Sequence, residues 1–274
     1  MFKKWKVTES GQRVRRKLAA SLSALLMVIA TVVGIAAPAS AQMSPTLCGF
    51  AIFVGVRGTN APAGVGLMHG NRAWVNGGYG ALQPLRNLLP STDIPYYAES
   101  LAFDATGGAP YPTVVNAGRD MLVQEINWLN AQCPWSPIIL AGHSMGADVV
   151  LSALQNQAIG SNLTTSARAQ VYAAAVFGDP TYKPYKGYNA PGNGTNAGVF
   201  PRANTADLEG MRTWGWQYGT AAEGWVYKVR SYCRAGDFFC QSNTADSNFV
   251  IHNNYSTQEA DAFKWIEFML TSAN

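Results

Sequence analysis

The sequence predicts an α/β fold of three layers, α/β/α, with helices on both faces of a central parallel sheet of about five strands. Three observations lead there. Short apolar runs recur along the chain, FAIFVGV at 50–56, PIILA at 137–141 and VYAAAVF at 171–177. Their length and near-continuous apolarity are those of strands buried on both faces. Between them lie stretches with apolar residues at helical spacing, and neither an internal repeat nor a linker divides the chain into two cores. Strands alternating with helices make parallel sheets, and ligands then bind beyond the carboxyl ends of the strands.

Composition limits the function classes. Of 274 residues, 48% are hydrophobic and 13% charged, which excludes a disordered polar chain and a charge-laced coiled coil. The formal charge of +4 is carried by the first 41 residues, which hold seven Lys or Arg and one acid, Glu9. The remainder has 13 basic and 15 acidic residues and no basic excess to seek phosphate backbones, so nucleic acid is not an expected partner. Residues 1–17 are basic, 18–37 carry no charge, and Pro38 precedes the small triplet Ala39-Ser40-Ala41. This reads as a signal peptide, 1–41, ahead of a mature domain, 42–274. The apolar run is long enough to span a bilayer, so an uncleaved anchor is the alternative, and the small triplet favours cleavage. The mature chain is expected to be extracellular or associated with the cell envelope, monomeric, and without a membrane span.

The mature elements follow in order. FAIFVGV is the first strand, ending at Arg57-Gly58-Thr59. Residues 60–80, rich in Gly and Asn, read as loop, and 81–89 as a helix stopped by Pro90. A short strand is expected over 94–98 and a turn-rich segment over 104–112. Residues 114–132 place Val115, Leu122, Ile126 and Leu129 on one helical face, closed by Cys133-Pro134. The strand PIILA enters Gly142-His143-Ser144-Met145-Gly146, and 147–157 continue as helix. The fourth strand, 171–177, ends at Gly178-Asp179-Pro180. Residues 183–224 read as loop, 225–232 as the last strand, and 260–270 as a closing amphipathic helix.

The chemistry sits where that topology puts ligands. G-x-S-x-G between a strand and a helix places a serine on a sharp, strained turn, with small neighbours letting strand and helix pass closely. Ser144 is thereby the expected nucleophile. A serine needs a base, and three histidines are available. His69, in the early Gly-rich loop, reads as a surface polar residue, and His143, beside the serine, as packing or cavity lining. His252 follows the last strand, in the Ser…acid…His order of α/β-hydrolases. Two acids compete to orient it: Asp179, after the fourth strand, and Asp237, between Cys233 and Cys240, where a bonded loop would hold a carboxylate rigidly. The oxyanion donors are expected from the Met145 backbone N–H and from Thr59. Four cysteines allow three pairings, of which Cys233–Cys240 with Cys48–Cys133 is favoured for an exported chain. C-x6-C does not match the common zinc motifs, H-E-x-x-H is absent, and no metal or organic cofactor is implied.

Taken together these segments resemble the cutinase family of secreted serine esterases. The resemblance rests on Val56-Arg57-Gly58-Thr59, Tyr111, Cys133-Pro134, Ile139 to Val149 around Ser144, Phe177-Gly178-Asp179-Pro180, Gly198 to Arg202, and Ser231 to Cys240 with His252. It departs at His143 and Met145, where the family usually has Tyr and Gln. It implies a compact five-stranded α/β-hydrolase without a large lid and a triad of Ser144, Asp237 and His252. It also implies an oxyanion hole from Thr59 and Met145, the disulfides Cys48–Cys133 and Cys233–Cys240, and Asp179 as a structural residue. The function then expected is hydrolysis of lipid or polyester esters through an acyl-enzyme. The alternatives are deacetylation of an acetylated polysaccharide such as xylan, and an idle envelope protein binding lipid. The aromatic run Trp214, Trp216, Tyr218 and Trp225 reads equally as an acyl path or as the packing of a long loop.

Overall fold

Strand after strand in this chain is sealed on both sides. In β1 (Ala51–Val56) all six residues are buried, and successive side chains go to opposite layers. Ile52, Val54 and Val56 pack with Leu122, Ile126 and Val149, whereas Ala51 and Phe53 join Leu85, Trp265 and Ile266. That split is the three-layer architecture read from one strand. The computed structural model describes residues 48–155, 162–243 and 245–271. The expected signal peptide lies outside them. Among the described residues no helix is long and apolar enough to cross a membrane.

The chain continues through β2 (Gly64–Met68), β3 (Ala73–Gly77), α1 (Gln83–Leu88), β4 (Tyr96–Leu101), α2 (Tyr111–Gln132), β5 (Ile138–His143) and α3 (Met145–Leu154). After these come α4 (Thr165–Gln170), β6 (Val171–Phe177), α5 (Ala206–Gly210), β7 (Arg212–Trp216), β8 (Glu223–Tyr227), β9 (Val229–Tyr232) and α6 (Ser256–Thr271). Among the described residues the main sheet has seven strands in the order β2-β3-β4-β1-β5-β6-β9. Five of them, β4-β1-β5-β6-β9, are parallel, and the antiparallel β2–β3 pair extends the β4 edge. The sheet is thus two strands wider than expected, because 60–80 contain a hairpin. Val65, Leu67 and Val75 in that hairpin stay exposed, so it lacks the buried apolar run that marks the other strands. Residues 225–232 also divide: Trp225 to Tyr227 belong to a separate ribbon, β7–β8, and only 229–232 join the sheet.

Register brings distant segments to one rim. Val56 pairs with Gly142, His143 with Phe177, and Phe177 with Tyr232. Gly58-Thr59, Ser144, Gly178 and the loop from Cys233 therefore all leave the sheet at the same carboxyl edge. Cys48 is bonded to Cys133, and Cys233 to Cys240.

Candidate active site

The serine turn is built by close backbone approach. A Cβ on Gly146 would lie 2.1 Å from the Val56 carbonyl oxygen, and one on Gly142 would lie 2.5 Å from that of Gly146. Neither position accepts a side chain. Ser144, between β5 and α3, is held at φ 55° and ψ −124°, a conformation L-residues rarely adopt. Met145 is the first residue of α3, where backbone N–H groups have no carbonyl within the helix to bond. Gly58, Thr59, His143, Ser144, Met145 and His252 share the wall of a cavity of about 700 Å³.

Behind His252 a carboxylate is fixed by four donors. Asp237 is fully buried and accepts from the backbone N–H groups of Phe239 (2.7 Å) and Cys240 (2.8 Å). Its Oδ2 also accepts from the Tyr255 hydroxyl at 2.8 Å and faces His252 Nδ1 at 2.9 Å. Burial pushes this carboxyl up, but the bonds from His252, the Cys240 N–H and Tyr255 outweigh it and hold Asp237 below the usual carboxylate range. The imidazole is seated just as firmly. Asp246 accepts from the N–H groups of Ile251 and His252, at 3.0 and 3.1 Å. The Phe239 ring lies tilted against it at 4.5 Å, and a Cβ on Gly178 would intrude to 2.8 Å from it. His252 Nε2 is buried and has no hydrogen-bond partner among the described residues. The hydroxyl-to-imidazole link is thus open in the structure, as catalytic hydrogen bonds often are before substrate binds.

The competing acid goes elsewhere. Asp179 accepts from the Thr181 N–H (2.9 Å) and hydroxyl (2.7 Å), and burial raises it to about 6. Arg202 bonds Thr181 (2.8 Å) and Asp148 (2.7 Å), completing a polar network under the cavity rim. His143 Nε2 lies 2.8 Å from the His252 carbonyl oxygen; burial and then the neighbouring His252 lower its pKa to about 4, so it lines the site uncharged.

One expectation is corrected. His69 is not a surface residue: it is buried, with Nδ1 2.7 Å from Glu125 Oε1 and 3.3 Å from Glu99 Oε2. Arg72 Nε donates to Glu125 at 2.7 Å, and the Trp128 ring lies 4.1 Å from the imidazole. Reading the sequence also missed Tyr255 and Asp246. Tyr255 has no local signature, since its partner is 18 residues away, whereas Asp246, six residues before His252, sits in the polar stretch where a loop-pinning acid would be sought.

A strained serine after a parallel strand, a buried carboxylate–imidazole pair and a shared cavity on one sheet rim define a carboxylic ester hydrolase of the α/β-hydrolase fold. The cutinase family model matches residues 47–270, and the chain belongs to the cutinase family. Acetylxylan esterase 2 of Talaromyces purpureogenus is 28% identical over 197 residues, 66% of this chain and 75% of that protein. Cutinase 11 of Verticillium dahliae is 25% identical over 201 residues, 66% of this chain and 60% of that protein. Among solved structures, the catalytic core domain of acetyl xylan esterase from Trichoderma reesei superposes with a TM-score of 0.62 at 23% identity, covering 81% of this chain and 99% of that one. A cutinase-like protein from Cryptococcus sp. gives 0.56 at 17% identity, covering 85% and 100%. At these identities the two structures speak for the fold alone.

Proposed function

We propose that Ser144, His252 and Asp237 form the catalytic triad of an exported esterase. His252 Nε2 takes the Ser144 proton as Oγ attacks the ester carbonyl carbon. The N–H groups of Met145 and Thr59 hold the oxygen that becomes negative, where charge is stabilised best by donors already in place. The C–O bond to the alcohol then breaks, and the alcohol leaves with the proton from imidazolium. Water, deprotonated by the same nitrogen, cleaves the acyl-serine and frees the acid. Asp237 keeps Nδ1 protonated and stabilises the imidazolium. The observation that carries this is His252 itself: one nitrogen is bonded to a fixed carboxylate, and the other is unbonded in a side chain on the wall that Ser144 also lines. The two disulfides fit an oxidising compartment, which supports export.

The acyl group is assigned to the cavity, whose wall includes Phe200, Phe239, Phe249 and Ala109. An acetyl group fills little of about 700 Å³, and this apolar volume favours a longer chain. Deacetylation of a polysaccharide is the second reading, favoured by the acetylxylan esterases among the relatives. A panel of p-nitrophenyl esters from acetyl to long chains, with acetylxylan and polyester film alongside, separates the two. Activity peaking at butyrate or longer supports the first reading, and activity confined to acetyl supports the second. A Ser144→Ala protein that hydrolyses these esters like wild type, or a folded wild type that a fluorophosphonate leaves unlabelled, overturns the triad.

A further inference from the structure

The β7–β8 ribbon turns one face to solvent, and that face is aromatic. Alternation sends Arg212, Trp214 and Trp216 outward from β7 and Glu223 and Trp225 outward from β8. Trp214, Trp216 and Trp225 are 60%, 56% and 46% exposed, whereas Val226, on the other side of the ribbon, is buried in the core. An outward face ordinarily carries polar residues, and a cluster of three exposed indoles marks a contact surface. The indoles sit in register: Trp214 pairs with Trp225, and Trp216 with Glu223. Two of the rings are held by neighbours. Trp214 meets Trp225 edge to face at 5.4 Å, and the Arg212 guanidinium stacks 4.2 Å over Trp225.

This surface is separate from the proposed active site. None of its residues lines the cavity of Ser144, and the ribbon leads into the amino end of β9, the end of the sheet opposite the catalytic rim.

We infer that this face binds a neutral polysaccharide, Trp214 and Trp216 stacking on the C–H faces of pyranose rings while Arg212 and Glu223 take hydroxyl hydrogen bonds. Charge complementarity selects this occupant. Indole faces carry negative quadrupole density, which matches the weakly positive C–H face of a sugar. The one cation and one anion on the face cancel, which suits an uncharged polymer. An anionic bilayer is instead sought by clusters of Lys and Arg beside an apolar face, and this face carries Arg212 as its single cation. A carboxylate at Glu223, beside Trp216, would lose its hydration against lipid or polyester, whereas sugar hydroxyls replace that hydration. A ring held by its neighbour, as Trp214 is by Trp225, also binds with less ordering cost than a mobile side chain.

The test is co-sedimentation of the full mature chain with insoluble xylan and with crystalline cellulose. It uses the Ser144→Ala protein, so that retention does not depend on the proposed hydrolysis. Phosphatidylcholine vesicles containing one-third phosphatidylglycerol serve as the comparison. Retention on either polysaccharide, reduced at least tenfold in Trp214→Ala/Trp216→Ala and partly restored in Trp214→Phe/Trp216→Phe, is the expected result. Thermal melts of the variants confirm that they are folded. No retention on either polymer overturns the inference. So does retention that the tryptophan changes leave intact, stronger Trp-dependent binding to vesicles, or Trp-dependent self-association in place of retention.

Discussion

Two buried histidines in this protein face carboxylates at hydrogen-bond distance, and their surroundings differ. At His252 a single carboxylate, Asp237, is saturated by four donors and so stays an anion; the imidazole gives it Nδ1 and keeps Nε2 unbonded beside a cavity. At His69 two carboxylates converge on one nitrogen, with Arg72 holding Glu125 from the other side. Burial disfavours the charged imidazolium there, yet the two acids outweigh it and raise His69 to about 9. Burial pushes Glu99 up to about 7. In the proposed mechanism the first pair lets a proton come and go on the far nitrogen. The second is arranged so that a proton stays. A histidine next to an acid is therefore no sign of catalysis by itself; the role proposed for His252 rests on a nitrogen without a partner among the described residues, in a side chain on the cavity wall that Ser144 shares.

The sharpest way to break this comparison is to remove the proton that the proposed mechanism moves. Ser144→Ala or His252→Ala is expected to lower kcat on p-nitrophenyl butyrate by about 10⁴-fold or more, leaving the residual rate due to binding and the oxyanion donors. Asp237→Asn should follow at roughly 10³–10⁴-fold, through loss of the correct tautomer rather than of binding, so KM stays near wild type. If His69→Gln caused a loss of the same size, the two pairs would not differ as described.

The second pair should answer to stability instead. Glu125→Gln leaves Arg72 and His69 without their shared partner in a buried setting, where breaking an ion pair typically costs about 3–5 kcal/mol. Urea denaturation should show that loss, with kcat/KM on a short ester within about twofold of wild type at temperatures where the variant is folded. A variant as stable as wild type would make the cluster dispensable.

How much of this was legible in the sequence follows from the range of each interaction. The strands at 51–56, 138–143 and 171–177 stood out because a strand sealed on both faces must be apolar throughout. Ser144 was legible because its turn imposes glycine at 142 and 146 within five residues. The loop holding Asp237 was legible from the two cysteines that flank it. The β2–β3 hairpin was hidden by its glycines and exposed face. The His69 cluster was invisible for another reason: its partners are 30 and 56 residues away, on β4 and α2, and no local pattern records that approach. Short-range constraint leaves a motif, whereas long-range convergence leaves none.

The smallest expected effect separates the histidines by pH. The folded value of His69, about 9, lies above its ordinary 6.5, so the native state holds this proton more tightly than the unfolded chain does. Its contribution to stability is complete below about pH 6.5 and is lost as the pH rises through about 9. Glu99, raised from 4.5 to about 7, acts with the same sign at lower pH, which leaves the window from 7 to 9 to His69. Wild type should therefore lose roughly 4–8 °C of Tm across that window relative to His69→Gln, for a linkage of about 2 kcal/mol. Parallel Tm curves for the two proteins would mean that the proton at His69 is not held by Glu99 and Glu125, and the contrast with His252 would rest on the cavity alone.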